Sequence, residues 1–405
     1  MNLKEFSLFN PNIESGTVLR ALESTIPASA IEQAIKETKA VEERTRALPS
    51  HLVICLVIGM SLWSKTAMRG VLKNLVDGLS EAWVKVGEYW REPSKSSITE
   101  ARQRVGAGVM CRLFHIVVRP QATFKTPGAF LGGLRIMAVD GTLMDVPDSE
   151  ENARVFGYPG SRPGTQAGFP KARLVILVEA GTHLIIDALI CPYKIGERVR
   201  ARKLLRSVEK GMLLMWDRGL HSYVMVKETL EQKGDFLGRM PKNVKFPVDK
   251  VLEDGSYFSW INPDGKSRKK GATKIRVRVI EYTIDTDKEP TIYRLITSLT
   301  DIVAFPGTLL AMEYHRRWEV ESTIDELKTH LLGRKTLIRS QNPREVVQEI
   351  YGWLLGHWAV RSLMFEVAEK AEISPLRLSF TGTIGVVRRA IPKFQRAELE
   401  DLPFF

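Results

Sequence analysis

Tyr314, Arg317, Glu321 and Lys328, within the stretch YHRRWEVESTIDELK, bring a phenol, a guanidinium, a carboxylate and an ammonium together at helical spacing. At about 100° per residue the four fall within a sector of roughly 60°. One acid bracketed by two cations suits a metal-dependent site acting on a phosphodiester: the carboxylate holds the ion while Arg and Lys hold the anionic backbone. A solvated amphipathic face can carry the same mixture of charges. Asp325 projects to the same side, so helical geometry alone does not choose between Glu321 and Asp325 as the acid.

Two upstream segments bear on that choice. LRIMAVDGTLMDVP carries Asp140 and MLLMWDRGLHS carries Asp217, each an apolar run that reads as a buried strand with an acid followed by glycine or by Arg-Gly. Either aspartate alone fits a turn or a helix cap. Burying an acid is costly unless it is paired or binds a metal, so two such positions point to a shared cation.

At these residues the chain resembles the DDE transposases of bacterial insertion sequences, in particular insertion sequence family four, whose signature is Tyr-x2-Arg-x3-Glu-x6-Lys. All four spacings match, as do the VDGT and WDRG segments, in order. The resemblance selects Glu321 over Asp325. It implies an α/β fold with an RNase H-like catalytic core in which Asp140, Asp217 and Glu321 are catalytic and bind two Mg²⁺ ions, Mn²⁺ being able to substitute. One ion would activate the attacking water or 3′-hydroxyl and the other would stabilise the leaving oxygen. Tyr314, Arg317 and Lys328 would hold phosphates or a displaced base. Trp318 reads either as an aromatic that stacks on a base or as a core-facing helix residue.

The implied activity is binding of terminal inverted repeats, strand cleavage, hairpin formation and strand transfer. The partners are double-stranded DNA, at element ends and target, and a second copy in a synaptic homodimer. Two other readings compete: a domesticated DNA-binding protein without catalysis, and another RNase H-like nuclease. The first is expected to lose an acid, and the full signature spacing speaks against the second.

Composition agrees. The chain has 405 residues, 44% of them apolar and 26% charged, and a formal net charge of +12 that favours a polyanionic partner. The three cysteines have no CxxC spacing, which argues for reduced thiols and against a zinc site, and the seven histidines form no metal motif. MNLKEFSLFNPNIESG lacks a signal-peptide pattern, and Leu52 to Trp63 is too short to span a bilayer. The expected location is the cytoplasm, with nucleoid association when DNA is bound and no membrane partner.

The elements that must position these residues follow from periodicity and punctuation. Residues 1–125 read as a helical DNA-binding region. Within it SSITEARQRVGAGVMCRLF is a helix capped by Ser97 or Thr99, with Arg102 and Arg104 on its polar side. Residues 126–235 form the first part of the catalytic core: the Asp140 strand, a hairpin of RLVILVEAG and HLIIDALICP, a basic helix GERVRARKLLRSVEKG and the Asp217 strand. Arg162 and Lys171, in the loop after the Asp140 strand, are candidate phosphate contacts. Residues 236–300 read as a β-rich insertion, 301–340 return to the core with the signature helix, and 341–405 form a helical C-terminal region. Its long helix, with Pro343 near the start, is a candidate for subunit pairing.

Overall fold

The two apolar runs that carry aspartates become central strands of one mixed sheet. The computed structural model describes residues 24–42, 48–77, 92–160, 167–241, 243–284, 291–333 and 338–390. Arg162 and the MNLKEFSLFNPNIESG segment lie outside the described residues.

Among the described residues ten strands form a single sheet. They are β1 Phe130–Leu131, β2 Leu134–Asp145, β3 Lys171–Glu179, β4 Leu184–Pro192, β5 Met212–Trp216, β6 Asp235–Arg239, β7 Lys250–Val251, β8 Tyr257–Ile261, β9 Ile275–Ile284 and β10 Thr291–Thr297. The order is β4-β3-β2-β5-β6-β10-β9-β8-β7, with β1 paired to β2. β2, β5 and β6 are mutually parallel, and every other pairing is antiparallel. The β-rich stretch after Asp217 therefore continues the sheet outward from β6.

β5 shows why its sequence is uniformly apolar. Leu214 and Trp216 join the larger core, whereas Leu213 and Met215 face a second cluster with Leu237, Leu295, Leu310 and Tyr314. A strand covered on both faces needs apolar side chains at odd and even positions alike.

Helices cover the sheet and extend the larger core. In chain order they are α1 Ala28–Glu37, α2 Ser50–Leu62, α3 Met68–Asp77, α4 Lys95–Val117, α5 Glu150–Phe156, α6 Glu197–Leu204, α7 Tyr223–Glu231, α8 Gly265–Lys269, α9 Gly307–Tyr314, α10 Trp318–Asp325, α11 Pro343–Lys370 and α12 Phe380–Ala390. No helix among the described residues is long and apolar enough to cross a membrane.

α11 organises the helical layer. Asn342 caps it by accepting from the Arg344 amide at 2.9 Å, and Pro343 occupies the first turn, where a missing N–H costs nothing. α2 and α4 both pack on it. At Gly352 a Cβ would lie 2.6 Å from the Val57 carbonyl oxygen, so this crossing requires glycine. α11 is buried along most of its length, with Trp353 and Trp358 in the core. Its faces are used inside the chain, which leaves little of it for a second subunit.

Two expectations for α4 are corrected. Its cap is Ser94, whose hydroxyl accepts from the Ser97 amide at 3.1 Å, rather than Ser97 or Thr99. Arg102 is buried instead of solvated: it donates to Gln348 Oε1 at 3.0 Å, to Ser340 Oγ at 2.9 Å and to the Glu345 carbonyl at 3.2 Å. The face carrying Arg102 is turned towards α11, and a guanidinium survives there because its planar set of donors is satisfied. Arg104 does keep partial exposure, in an ion pair with Glu42.

Candidate active site

Strand register brings the two aspartates together. Ala138 of β2 pairs in parallel with Met215 of β5. Asp140, within β2, and Asp217, just past the end of β5, each lie two residues further on, which sets them side by side on the same face. Each carboxylate also makes a local bond of the kind a turn would make. Asp140 Oδ1 accepts from the Gly141 amide and Asp217 Oδ1 from the Gly219 amide, both at 2.8 Å. These bonds use one oxygen of each carboxylate, and the second oxygen of Asp140 meets Arg317.

Glu321 arrives on α10, which packs on β2. The helix expected across the signature is not uniform. α9 passes through a 3₁₀ turn at His315–Arg317 into α10, which ends in a π-helical turn at Glu326–Leu331. Such irregular turns inside helices often mark functional sites. They re-aim the side chains without breaking the element.

Arg317 links the acids. Its guanidinium donates to Glu321 Oε1 at 2.6 Å and to Asp140 Oδ2 at 3.4 Å, so one planar group spans the helix carboxylate and the strand carboxylate. Arg317 is largely buried, whereas Glu321 is partly exposed. Burial pushes the Asp140 carboxyl up to about 7. The Gly141 amide and Arg317 oppose that shift, and the negative charges of Glu197 and Asp217 reinforce it.

The other signature residues turn their polar atoms inward. The Tyr314 hydroxyl donates to the Trp216 carbonyl at 3.3 Å, immediately before Asp217, and the side chain is 4% exposed. Burial raises its phenol well above the usual range. Lys328 Nζ donates to Thr142 Oγ1 at 3.0 Å and to the Leu143 carbonyl at 2.9 Å, just beyond Asp140. The first and last residues of the signature thus fasten the helix to the two strands that carry the aspartates. Trp318 is different: it is 60% exposed and not a core residue. Asp325 is exposed and accepts from Thr329 and His330. Lys171 pairs with Asp145 at the far end of β2.

Two groups escaped the sequence reading. Glu197, the first residue of α6, lies in contact with the Asp140 carboxyl. Its only sequence signal is an acid at the start of a helix that follows the hairpin. Behind the signature helix, Glu326 is buried among His183, His357 and Arg361. His357 and Arg361 are one helical turn apart, but Glu326 and His183 are distant from them and from each other in the chain, so spacing does not disclose the cluster.

The donor set fits a hard divalent cation, since carboxylate oxygens are the ligands Mg²⁺ and Mn²⁺ prefer. Among the described residues no three His, Cys, Asp or Glu side chains are gathered into a ready-made cage. The Arg317 guanidinium already shows that a positive charge is accommodated between Asp140 and Glu321.

Comparison with known proteins gives the same direction. Residues 131–356 match the family described as transposase DDE domain, and residues 17–115 match the insertion element 4 transposase N-terminal family. Transposase InsG for insertion sequence element IS4 of Escherichia coli (strain K12) is 25% identical over 95% of this chain and 86% of its own length. Among solved structures, the piggyBac transposase in a synaptic complex with hairpin DNA superposes with a TM-score of 0.51 at 11% identity, covering 95% of this chain and 82% of that one. At that identity the likeness concerns the fold alone.

Proposed function

This chain belongs to the DDE-domain transposases of the insertion element 4 type, and we propose from that premise that Asp140, Asp217 and Glu321 are its catalytic carboxylates. It is a DNA transposase, an enzyme that acts on DNA by DDE catalysis and depends on divalent metal. The observation that carries the residue assignment is the parallel register that sets Asp140 beside Asp217, with Arg317 drawing Glu321 to the same place.

The core of this reading is an RNase H-like unit made of β2 to β6 and α6, α7 and α10, within residues 126–235 and 301–340 except that β6 runs on to Arg239. Residues 236–300 form a β-rich insertion that widens its sheet. Residues 1–125 bind DNA, and the C-terminal region 341–405 completes the helical layer through its described part, 341–390. The substrate is the inverted-repeat end of a mobile element, cleaved to free a 3′-hydroxyl that attacks the opposite strand as a hairpin and later the target. Two bound Mg²⁺ ions, with Mn²⁺ as a substitute, supply activation of the attacking oxygen and stabilisation of the leaving oxygen. A homodimer pairs the two ends, and the work is done on nucleoid DNA in the cytoplasm. Supplying end-sequence DNA with Mg²⁺ and resolving nicks, hairpins and joined products on a gel tests the sequence of steps. Binding without any cleavage would leave a DNA-binding module only.

This chain's residues have separable tasks. Tyr314 and Lys328 fix the height of the signature helix over β2 and β5. Asp140 and Glu321, which Arg317 now links, would hold a divalent cation, and the Arg317 guanidinium would then serve a DNA phosphate. Trp318, exposed beside them, is placed to stack on a base. Arg317→Ala is therefore expected to weaken binding of end-sequence DNA by about tenfold, as loss of one charge-assisted phosphate contact does. It should leave Mn²⁺ affinity equal or tighter. A gel shift and an Mn²⁺ titration decide; a large loss of Mn²⁺ affinity would show that Arg317 supports the acids instead of competing for them.

The raised Asp140 pKa sets a pH dependence. A carboxyl that holds its proton up to about 7 must give it up before it can ligate a cation. Mn²⁺ binding to the DNA-free protein is expected to be about tenfold tighter at pH 8 than at pH 6, following the deprotonated fraction of one group. The linked stability has the opposite sign: folding raises this group from 3.8, so metal-free stability falls as pH climbs from about 4 to about 7. Calorimetric Mn²⁺ titrations at the two pH values check the first statement, and equal affinities would refute it.

A further inference from the structure

α6 begins beside the middle of β2, at Gly141, and beside the turn that follows β5. Glu197, its first residue, reaches β2: a Cβ built on Gly141 would sit 2.7 Å from Glu197 Cδ and 2.8 Å from its Oε1, so residue 141 must be glycine for this carboxyl to come so close. Glu197 also makes a hydrogen-bonding contact with the Asp140 carboxyl. Arg198, the next residue, donates to the Gly219 carbonyl at 3.1 Å through Nε and 2.9 Å through its terminal nitrogen, in the turn that holds Asp217. The first turn of α6 is thus tied to both aspartate sites at once.

Charge around Glu197 is unbalanced. Its Oε2 receives one hydrogen bond, from Arg173 at 3.2 Å. Its other oxygen faces Gly141 and Asp140; burial and the Asp217 charge disfavour the carboxylate there, while Arg173, the Asp140 contact and the Gly141 amide favour it. Arg317 approaches Asp140 through Oδ2, and its second contact runs to Glu321. Two carboxyls in mutual contact persist only with a proton or a cation between them.

We propose that Glu197 is a fourth carboxylate of the catalytic centre, holding a divalent cation jointly with Asp140 on the side of that residue opposite Glu321. The proposal rests on the assignment of Asp140 as a metal ligand. The chemistry needed is an oxygen-ligating ion of the Mg²⁺ or Mn²⁺ class, with water completing the coordination. Arg173 orients the carboxyl, and Gly141 clears the approach.

The test is titration of the full-length, DNA-free protein with Mn²⁺ alone, comparing wild type, Glu197→Gln, Glu197→Asp and Asp140→Asn, with thermal unfolding of each metal-free protein. Glutamine keeps the size of the side chain and an acceptor for Arg173 while removing the charge. Glu197→Gln is expected to bind Mn²⁺ at least about tenfold more weakly with an unchanged unfolding midpoint. Glu197→Asp, which keeps the charge on a shorter arm, is expected to recover part of the affinity. A Glu197→Gln protein that binds Mn²⁺ like wild type, while Asp140→Asn binds weakly, overturns the proposal and leaves the three-acid reading standing. Unchanged binding in Asp140→Asn as well overturns both. A lowered midpoint with intact Mn²⁺ affinity would assign Glu197 to the Arg173 ion pair alone and overturn the proposal too.

Discussion

Asp140→Asn, Asp217→Asn and Glu321→Gln are each expected to lower cleavage of end-sequence DNA by at least about 10³-fold while DNA binding stays near wild type. Metal-assisted phosphodiester chemistry draws several kcal/mol of transition-state stabilisation from the bound ions, and each factor of ten in rate corresponds to about 1.4 kcal/mol. An amide in place of an acid keeps shape but removes the anionic oxygen that a hard cation requires. The local geometry survives, because the amide oxygen of asparagine still accepts from the Gly141 or Gly219 amide. Folding survives as well, since neutralising Asp140 relieves a charge that burial disfavours. Asp325→Asn is the control: this residue is exposed and turned to Thr329 and His330, and its variant should cleave like wild type. Single-turnover cleavage beside a gel shift reads both quantities. A Glu321→Gln enzyme that still cuts, beside an Asp325→Asn enzyme that does not, would transfer the third acid to position 325.

What the chain discloses before folding depends on how local each signal is. Asp140 and Asp217 stand out because each interrupts or ends an apolar run, and β2 and β5 are apolar for a reason confined to themselves, coverage on both faces. Their adjacency is less legible: β5 reaches β2 only after the β3–β4 hairpin and α6 have crossed over. The directions of Tyr314 and Lys328 are not legible at all. Residue type suggests groups for phosphates, yet the face they share is pressed on the sheet, where a phenol and an ammonium find the Trp216 and Leu143 carbonyls. Arg102 teaches the same lesson: helical spacing shows that a stripe exists, and only packing on α11 shows that this arginine lies inside it. Glu197 was invisible because its contact with Asp140 is made by the placement of α6, which no periodicity encodes.

Arg361→Met is expected to cost about 3–5 kcal/mol of stability. Arg361 lies on α11 and donates through Nε to Glu326 Oε2 at 2.8 Å and through a terminal nitrogen to Glu326 Oε1. The remaining neighbours of that carboxylate are His183, at 2.8 Å, and His357, at 3.2 Å. Burial depresses both imidazoles, His357 to about 3, so neither supplies a positive charge at neutral pH. Removing Arg361 therefore leaves a buried carboxylate with two neutral partners. The unfolding midpoint should fall by roughly 5–10 °C on the scaling for large domains. Glu326→Leu combined with Arg361→Met should recover most of the loss, because burying neither ion is cheaper than burying one unpaired. Glu326 begins the π-helical turn that follows α10, so the pair also anchors the helix that presents Glu321 to β2. The single variant, assayed well below its midpoint, is therefore expected to cleave more slowly than wild type at equal DNA occupancy. A double variant that regains stability without regaining rate would show that the ion pair sets the placement of Glu321 separately from its contribution to the fold.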